Sequence, residues 1–235
     1  MKYDIVYVLR NDIDNTDELR YSLRSLVNFP HEKVWFFGGD PAGFRPDGKV
    51  PCEQRGVSVW QKTRWTIEQI CKTPEVSENF WLFNDDFFIM HNVEAPADAY
   101  YDRTLYQRNA EIRKNRLGGW SLYTVQLEQL RAALLDDKRK TYNYETHIPM
   151  LINKEKMLKV TRLYPRVALV RSIYGNYYNV GGLQMKDCKI STPNIEPSPD
   201  AVFLSTDEVS FASGKVGEYI RSQFNEPSIY EIIDD

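Results

Sequence analysis

The sequence predicts an α/β fold: a mostly parallel, Rossmann-like sheet flanked by helices, with a small helical insertion. Three observations predict it. The chain opens strand–helix–strand. An apolar run, Phe80 to Phe83, stops at Asn84-Asp85-Asp86 and resumes at Phe87. Two helical stretches joined by Gly118-Gly119 stand apart from that alternation.

Tyr3 to Leu9 is a β-branched and aromatic run, a buried first strand ending in the polar cluster Arg10-Asn11-Asp12. Asn15, with Glu18 three residues on, reads as the capping box of a first helix. Leu19, Leu23, Leu26 and Val27 form its buried face, and Pro30 ends it. Lys33 to Phe37 is a second strand closed by Gly38-Gly39-Asp40. Residues 40–56 carry no periodicity and read as a loop. Trp60 to Lys72 is helical and ends before Pro74. A strand, Phe80 to Asp86, then carries the acidic pair.

Residues 95–116 read as polar and irregular before a charged helix. Trp120, Tyr123, Leu127, Leu130 and Leu134 recur at helical spacing, so residues 95–140 are expected to form a helical insertion within a single domain spanning residues 1–235. Tyr142 to Met150 reads as a loop holding His147. Short helices follow from Asn153 to Leu158 and from Ala168 to Ile173, the latter closed by Gly175-Asn176. Met185–Ile190 and Ala201–Ser205 are strands, Gly214–Phe224 is a last helix, and the acidic tail packs or frays.

Composition narrows the function classes. A net charge of −3 and a pI near 5.7 give no general pull toward nucleic acid or anionic membrane. The basic residues are local, in Arg103–Arg116 and Lys138–Lys140. Three scattered cysteines lack metal-ligand spacing and suit a reducing compartment. No apolar run reaches the roughly 18 residues that span a bilayer. A cytoplasmic protein without stable membrane insertion is the expectation.

Two adjacent carboxylates at the end of a buried strand need a partner. A divalent cation suits hard oxygen ligands, and so points to a metal and diphosphate site at the C-terminal edge of the sheet. Asn and Asp are also turn formers, so a plain polar turn between two strands reads equally well. His147 and His91 each stand as a late histidine near such a site or as packing residues. Asp207 and Glu208 follow the last strand.

The stretches Asp17-Glu-Leu-Arg-Tyr-Ser-Leu-Arg-Ser-Leu26 and Ser77-Glu-Asn-Phe-Trp-Leu-Phe-Asn-Asp-Asp86, with the spacing between them and the opening Asp4-Ile-Val-Tyr7, resemble the Stealth proteins. These are sugar-phosphate transferases whose core is related to the GT-A glycosyltransferase fold. The likeness runs through residues 3–90, thins toward His147-Ile-Pro149, and does not extend past about residue 180. The chain is shorter than a Stealth enzyme, and Leu9-Arg10-Asn11 replaces the Trp-Val-Asp-like stretch usual there. In build it is more similar to small phage-encoded proteins commonly taken for glycosyltransferases.

The resemblance implies a GT-A-like fold and a metal-dependent transfer of sugar from a nucleotide-diphosphate-sugar, a UDP-sugar first, to a hydroxyl on a glycan or a modified DNA base. Mn²⁺ or Mg²⁺ would sit on Asp86, with Asp85 and His147 as further ligands. Arg10, Asn11, Asn84 and Asp85 would meet the nucleotide. Lys62 and Arg64, on the helix before the acidic strand, would reach phosphate unless they form a solvated face. Arg171 would approach the diphosphate, with Tyr174 and Asn176 toward the acceptor. Asp207 or Glu208 would be the base. Two alternatives remain open: a Stealth-type transfer of hexose-1-phosphate to a cell-surface glycan, and a non-catalytic nucleotide-sugar-binding module.

Overall fold

The computed structural model describes residues 2–233. Its centre is a five-stranded sheet in the order β3-β2-β1-β4-β7. The strands are β1 (Asp4–Leu9), β2 (Val34–Gly38), β3 (Gly48–Pro51), β4 (Asn79–Phe83) and β7 (Met150–Asn153). All pairs are parallel except β4–β7, which is antiparallel. The expected mostly parallel α/β sheet flanked by helices is therefore present.

Strand β1 is central because Ile5, Val6, Tyr7 and Leu9 are fully buried, on both faces of the sheet. Helix α1 (Asp17–Ser25) crosses from β1 to β2, and α2 (Val59–Ile70) crosses from β3 to β4 on the other side of β1. That reversal is a topological switch point, and the C-terminal ends of β1 and β4 open a crevice there. Asp4 anchors the opposite end. Its carboxylate accepts from Trp35 Nε1 (3.0 Å), the Ser77 amide (2.9 Å) and the Lys33 amide (3.3 Å).

Two strands lie where the sequence reads as loop. β3 has an alternating half-buried pattern too short to register as periodicity. β7 follows the loop of Tyr142 to Met150 and pairs with β4 at the sheet edge. The ladder of β7 comes from β4, distant in the chain, and that of β3 from β2, the strand just before it.

A second sheet contains β5 (Phe87–Ile89), β10 (Phe203–Thr206) and β9 (Lys189–Ile190), with β10 in the middle. Its register sets Ser205 opposite both Phe87 and Lys189. Of the expected strand Met185–Ile190 only Lys189–Ile190 forms, and just before it Leu183–Gln184 (β8) pairs with Tyr100–Tyr101 (β6).

Helices α3 (Leu105–Asn115) and α4 (Leu122–Asp136) form a hairpin. Capping boxes at Thr104/Gln107 and Ser121/Thr124 start each helix. Leu105, Leu127, Leu130 and Leu134 enter the same apolar cluster as Val6 and Leu82 of the sheet. Helix α5 (Lys154–Leu163) starts at Asn153, whose side chain accepts from the Lys156 amide at 3.0 Å. Helix α6 (Val170–Tyr177) runs through Gly175 and Asn176 rather than ending at them. Asn176 stays helical because its side chain bonds both the amide and the carbonyl of Tyr142 at 2.8 Å. Helices α7 (Glu208–Ser213) and α8 (Lys215–Gln223) close the chain. The tail packs: Glu231 pairs with Arg20 at 2.7 Å and Arg24 at 2.8 Å.

Candidate active site at the sheet edge

The Asn84-Asp85-Asp86 stretch is a turn between β4 and β5, and it also lines a cavity of about 610 Å³ at the switch point. The two sequence readings are thus compatible. Among the described residues, seven acidic side chains line the cavity, from the ends of β1 (Asp12, Asp14), α1 (Glu18), the turn (Asp85, Asp86) and β10 (Asp207, Glu208). Two permanent cations, Arg10 and Lys189, oppose them.

Asp86 is the buried member. Its Oδ2 accepts from Lys189 Nζ and from Ser205 Oγ, each at 2.9 Å, while Oδ1 is buried with no hydrogen-bond partner. Burial pushes this carboxyl up, but Lys189, His147 and the bond from Ser205 hold it below the ordinary value. Asp85 is half-buried beside it, and burial together with the Asp86 charge raises its carboxyl to about 6. Glu18 is raised to about 7, chiefly by burial and further by Asp86 and Asp85. The Thr206 hydroxyl, 2.5 Å from Glu18 Oε1, partly offsets this.

Glu18 is therefore not the capping-box partner of Asn15. Asn15 Oδ1 accepts from the Asp17 amide at 3.0 Å, and Thr16 precedes the helix without a side-chain cap. That frees Glu18 to turn into the cavity. Glu18, Lys189 and Thr206 are site residues that the sequence did not single out. The only local signal was a carboxylate in the first turn of a helix leaving the central strand, and the capping rule explained that away.

His147 lines the cavity, with Nδ1 bonded to Asp187 Oδ1 at 2.9 Å. Burial pushes the Asp187 carboxyl up, but the bond and charge of His147 outweigh it and hold it at about 2. An Nδ1–H pinned by a carboxylate turns the lone pair of Nε2 outward, the usual arrangement behind a ligating histidine. His91 is exposed and bonds the Pro199 carbonyl at 2.8 Å.

Other expected residues lie elsewhere. Arg171 is buried and does not line the cavity. Its guanidinium donates to Asn84 Oδ1 (3.0 Å) and to the carbonyls of Ile148 (3.0 Å) and Thr146 (3.3 Å). It holds the acidic turn and the His147 loop rather than meeting a diphosphate. Arg64 is tied to Glu68 and to three carbonyls of residues 161–167, and Lys62 is exposed outside the cavity. The same helix presents Val59 and Thr63 instead, because α2 turns its basic residues away from the switch point. Tyr174 and Asn176 are buried in packing. Asn11 donates to the Cys52 carbonyl at 3.1 Å and lines a neighbouring cleft of about 370 Å³ with Gly38, Gly39 and Asp40. Asp207 caps α7 through the Ser210 amide at 2.8 Å. Burial would raise it, but the bonds to Ser210 hold it below its ordinary value. Glu208 is exposed at the rim and accepts from Asn15 Nδ2 at 3.4 Å.

The donors fit a hard divalent cation in kind. Asp86 Oδ1 is a buried oxygen without a hydrogen-bond partner, and the Asp85 and Glu18 carboxyls are raised by burial first and by their acidic neighbours second, both of which a cation would offset. Among the described residues no group of three or more His, Cys, Asp or Glu is drawn together into a complete shell. No helix in the described residues is long and apolar enough to cross a membrane.

No protein-family model matches the sequence, and no curated protein matches it. Several solved structures are similar to the chain at low sequence identity. The apo-form glycosyltransferase GlyE of Streptococcus pneumoniae TIGR4 is similar at a TM-score of 0.49 and 10% identity, over 96% of this chain and 60% of that one. The chain thus spans 60% of the GlyE structure. The galactosyltransferase LgtC, in complex with donor and acceptor sugar analogs, is similar at a TM-score of 0.48 and 11% identity, over 99% of this chain and 98% of that one. Mouse xyloside xylosyltransferase 1, in its apo form, follows at a TM-score of 0.39 and 10% identity, over 98% and 96%.

Proposed function

We propose that the chain is a GT-A-like glycosyltransferase that moves a sugar from a nucleotide-diphosphate-sugar to a hydroxyl acceptor with the help of Mn²⁺ or Mg²⁺. One observation carries the reading: Asp85 and Asp86 line a cavity of about 610 Å³ at the switch point of a mostly parallel sheet, and the buried Asp86 Oδ1 has no hydrogen-bond partner.

Asp86 and Asp85 would hold the cation, with His147 as a third donor. When bound, such a cation neutralises the charge that builds on a leaving diphosphate. The chain's own residues supply the rest. Arg10 and Lys189 offer fixed positive charge to phosphate oxygens within the same cavity. The Asn11 cleft, at the ends of β1 to β3, suits the base and ribose. Glu18 is the stronger candidate to take the acceptor proton, since a carboxyl held at about 7 exchanges a proton near neutrality. Asp207, committed to its helix cap, is the weaker one. Glu208 at the rim remains a second candidate. The acceptor is proposed as a glycan, with a modified DNA base as the other hydroxyl source. A reducing cytoplasmic setting agrees with three free thiols.

The test is a screen of UDP-, GDP-, CDP- and dTDP-sugars with Mn²⁺, read by calorimetry and nucleotide release. Metal-dependent binding of one donor with release of its nucleoside diphosphate is expected, reduced at least about 100-fold in Asp86→Ala. Full activity of Asp86→Ala sinks the proposal. Release of the nucleoside monophosphate would replace it with the Stealth-type sugar-phosphate transfer. Tight donor binding without turnover under any metal would leave a binding module.

A further inference from the structure

Neither carboxylate oxygen of Asp86 is free for a cation as the side chains stand. Oδ2 accepts from Lys189 Nζ and from Ser205 Oγ, each at 2.9 Å, and Oδ1 is buried without a hydrogen-bond partner. A divalent cation therefore gains this carboxylate by displacing a group already on it.

The two donors differ in how they meet a cation. Ser205 is fully buried on β10, the middle strand of its sheet, and its hydroxyl carries no charge to oppose a metal. Lys189 stands on β9, a two-residue strand at the edge of that sheet. Its side chain is 27% exposed and lines the cavity. The ammonium is a compact point charge on a flexible stem, and two cations on one oxygen repel each other. Lys189 is thus the donor that yields. Other acceptors stand ready for it, because Glu18 and Asp207 line the same cavity and their charges act on the same ammonium.

We propose that Lys189 and a divalent cation are alternative occupants of Asp86, so that Lys189 sets how tightly this chain takes its metal. The ammonium neutralises Asp86, and a cation entering from the cavity replaces it on Oδ2. The displaced ammonium stays in the cavity, where a donor's diphosphate is the next negative charge to arrive. Diphosphate that pairs with Lys189 keeps it off Asp86, so cation and diphosphate favour each other's binding through one side chain. Arg10, the other permanent cation of the cavity, acts on Asp85 instead. This inference rests on the proposed metal site at Asp86.

The experiment titrates the full-length chain with Mn²⁺ in the absence of nucleotide and counts free Mn²⁺ by electron paramagnetic resonance. Lys189→Met should bind Mn²⁺ at least about tenfold tighter than the wild type, and Arg10→Met should change the affinity by less than about threefold. Both variants remove one positive charge from the cavity, but only the first vacates an oxygen of Asp86. Equal gains in the two would reflect the general field of the cavity and overturn the inference. Unchanged or weaker binding by Lys189→Met also overturns it, and leaves the metal site standing if Asp86→Ala abolishes the binding. Absence of Mn²⁺ binding in every protein, or binding that Asp86→Ala leaves intact, overturns the inference and the metal site together. Lys189→Gln keeps a hydrogen-bond donor for Asp86 without the charge, and it is held to the same outcomes should the methionine variant not fold. A purely structural role for Lys189 predicts loss of metal affinity on substitution, the opposite sign.

Discussion

Lys189 Nζ, on β9, lies 2.9 Å from Asp86 Oδ2, in the turn before β5, because the second sheet sets β9 and β5 on either side of β10. The side chains are 27% and 11% exposed. Removing one partner leaves the other charge buried without compensation. Lys189→Met should destabilise the chain by about 2–3 kcal/mol, and Lys189→Met with Asp86→Asn should recover most of that loss. Urea unfolding of the two single variants and the double variant measures it. Additive losses would mean that the pair contributes nothing to stability.

Glu18 makes an opposite, pH-dependent prediction. Its folded carboxyl, at about 7, lies above its ordinary 4.5, because burial and the charges of Asp85 and Asp86 outweigh the Thr206 bond and Lys189. The folded state therefore holds a proton that the unfolded state releases, and stability falls as pH rises from about 4.5 to 7. Glu18→Gln should be more stable than the wild type at pH 8 by about 1–3 kcal/mol, and so unfold at a higher temperature, with little difference at pH 4. Thermal scans across pH decide it, and a pH-independent difference would contradict the assignment. Mn²⁺ should raise the wild-type midpoint at pH 8 if the carboxylates take a cation.

Asp187 works in the other direction. Held at about 2 against an ordinary 3.8, it contributes stability that is complete above pH 4 and is lost as pH falls toward 2. The contribution at neutral pH is about 2 kcal/mol. His147→Ala should remove most of it and flatten the acid limb of the stability curve, measured by denaturant unfolding between pH 2 and 6.

Arg171 acts on the site through Asn84 and the loop before Met150. Arg171→Lys keeps the charge but cannot span three acceptors. A loss of about 2–3 kcal/mol in stability is expected, with a fall in turnover larger than any change in donor affinity. Equal losses in turnover and affinity would mean that Arg171 meets the donor directly.

Gly175 faces the Tyr144 ring, where an added Cβ would lie 2.6 Å from ring carbons. Gly175→Ala should cost about 1–3 kcal/mol although it improves helix propensity, because the ring is buried and cannot retreat. An unfolding midpoint equal to the wild type's would refute this close packing.

The sequence by itself determined the strand–helix–strand opening, the buried strand behind Asn84-Asp85-Asp86 and the helical hairpin. Those features are written in runs of apolar residues and in polar residues that break them, which are local signals. Tertiary structure decided the rest. Strand β7 exists because the distant β4 offers it a ladder, and β3 because the edge of β2 does. Arg171, Arg64 and Asn11 read as ligand contacts, yet the fold gives them buried or neighbouring partners closer than the cavity. Glu18 and Lys189 are 171 residues apart in the chain, taking 189 minus 18. Only the packing of α1 against the second sheet brings their charges to bear on Asp86, and no pattern within either segment encodes that meeting.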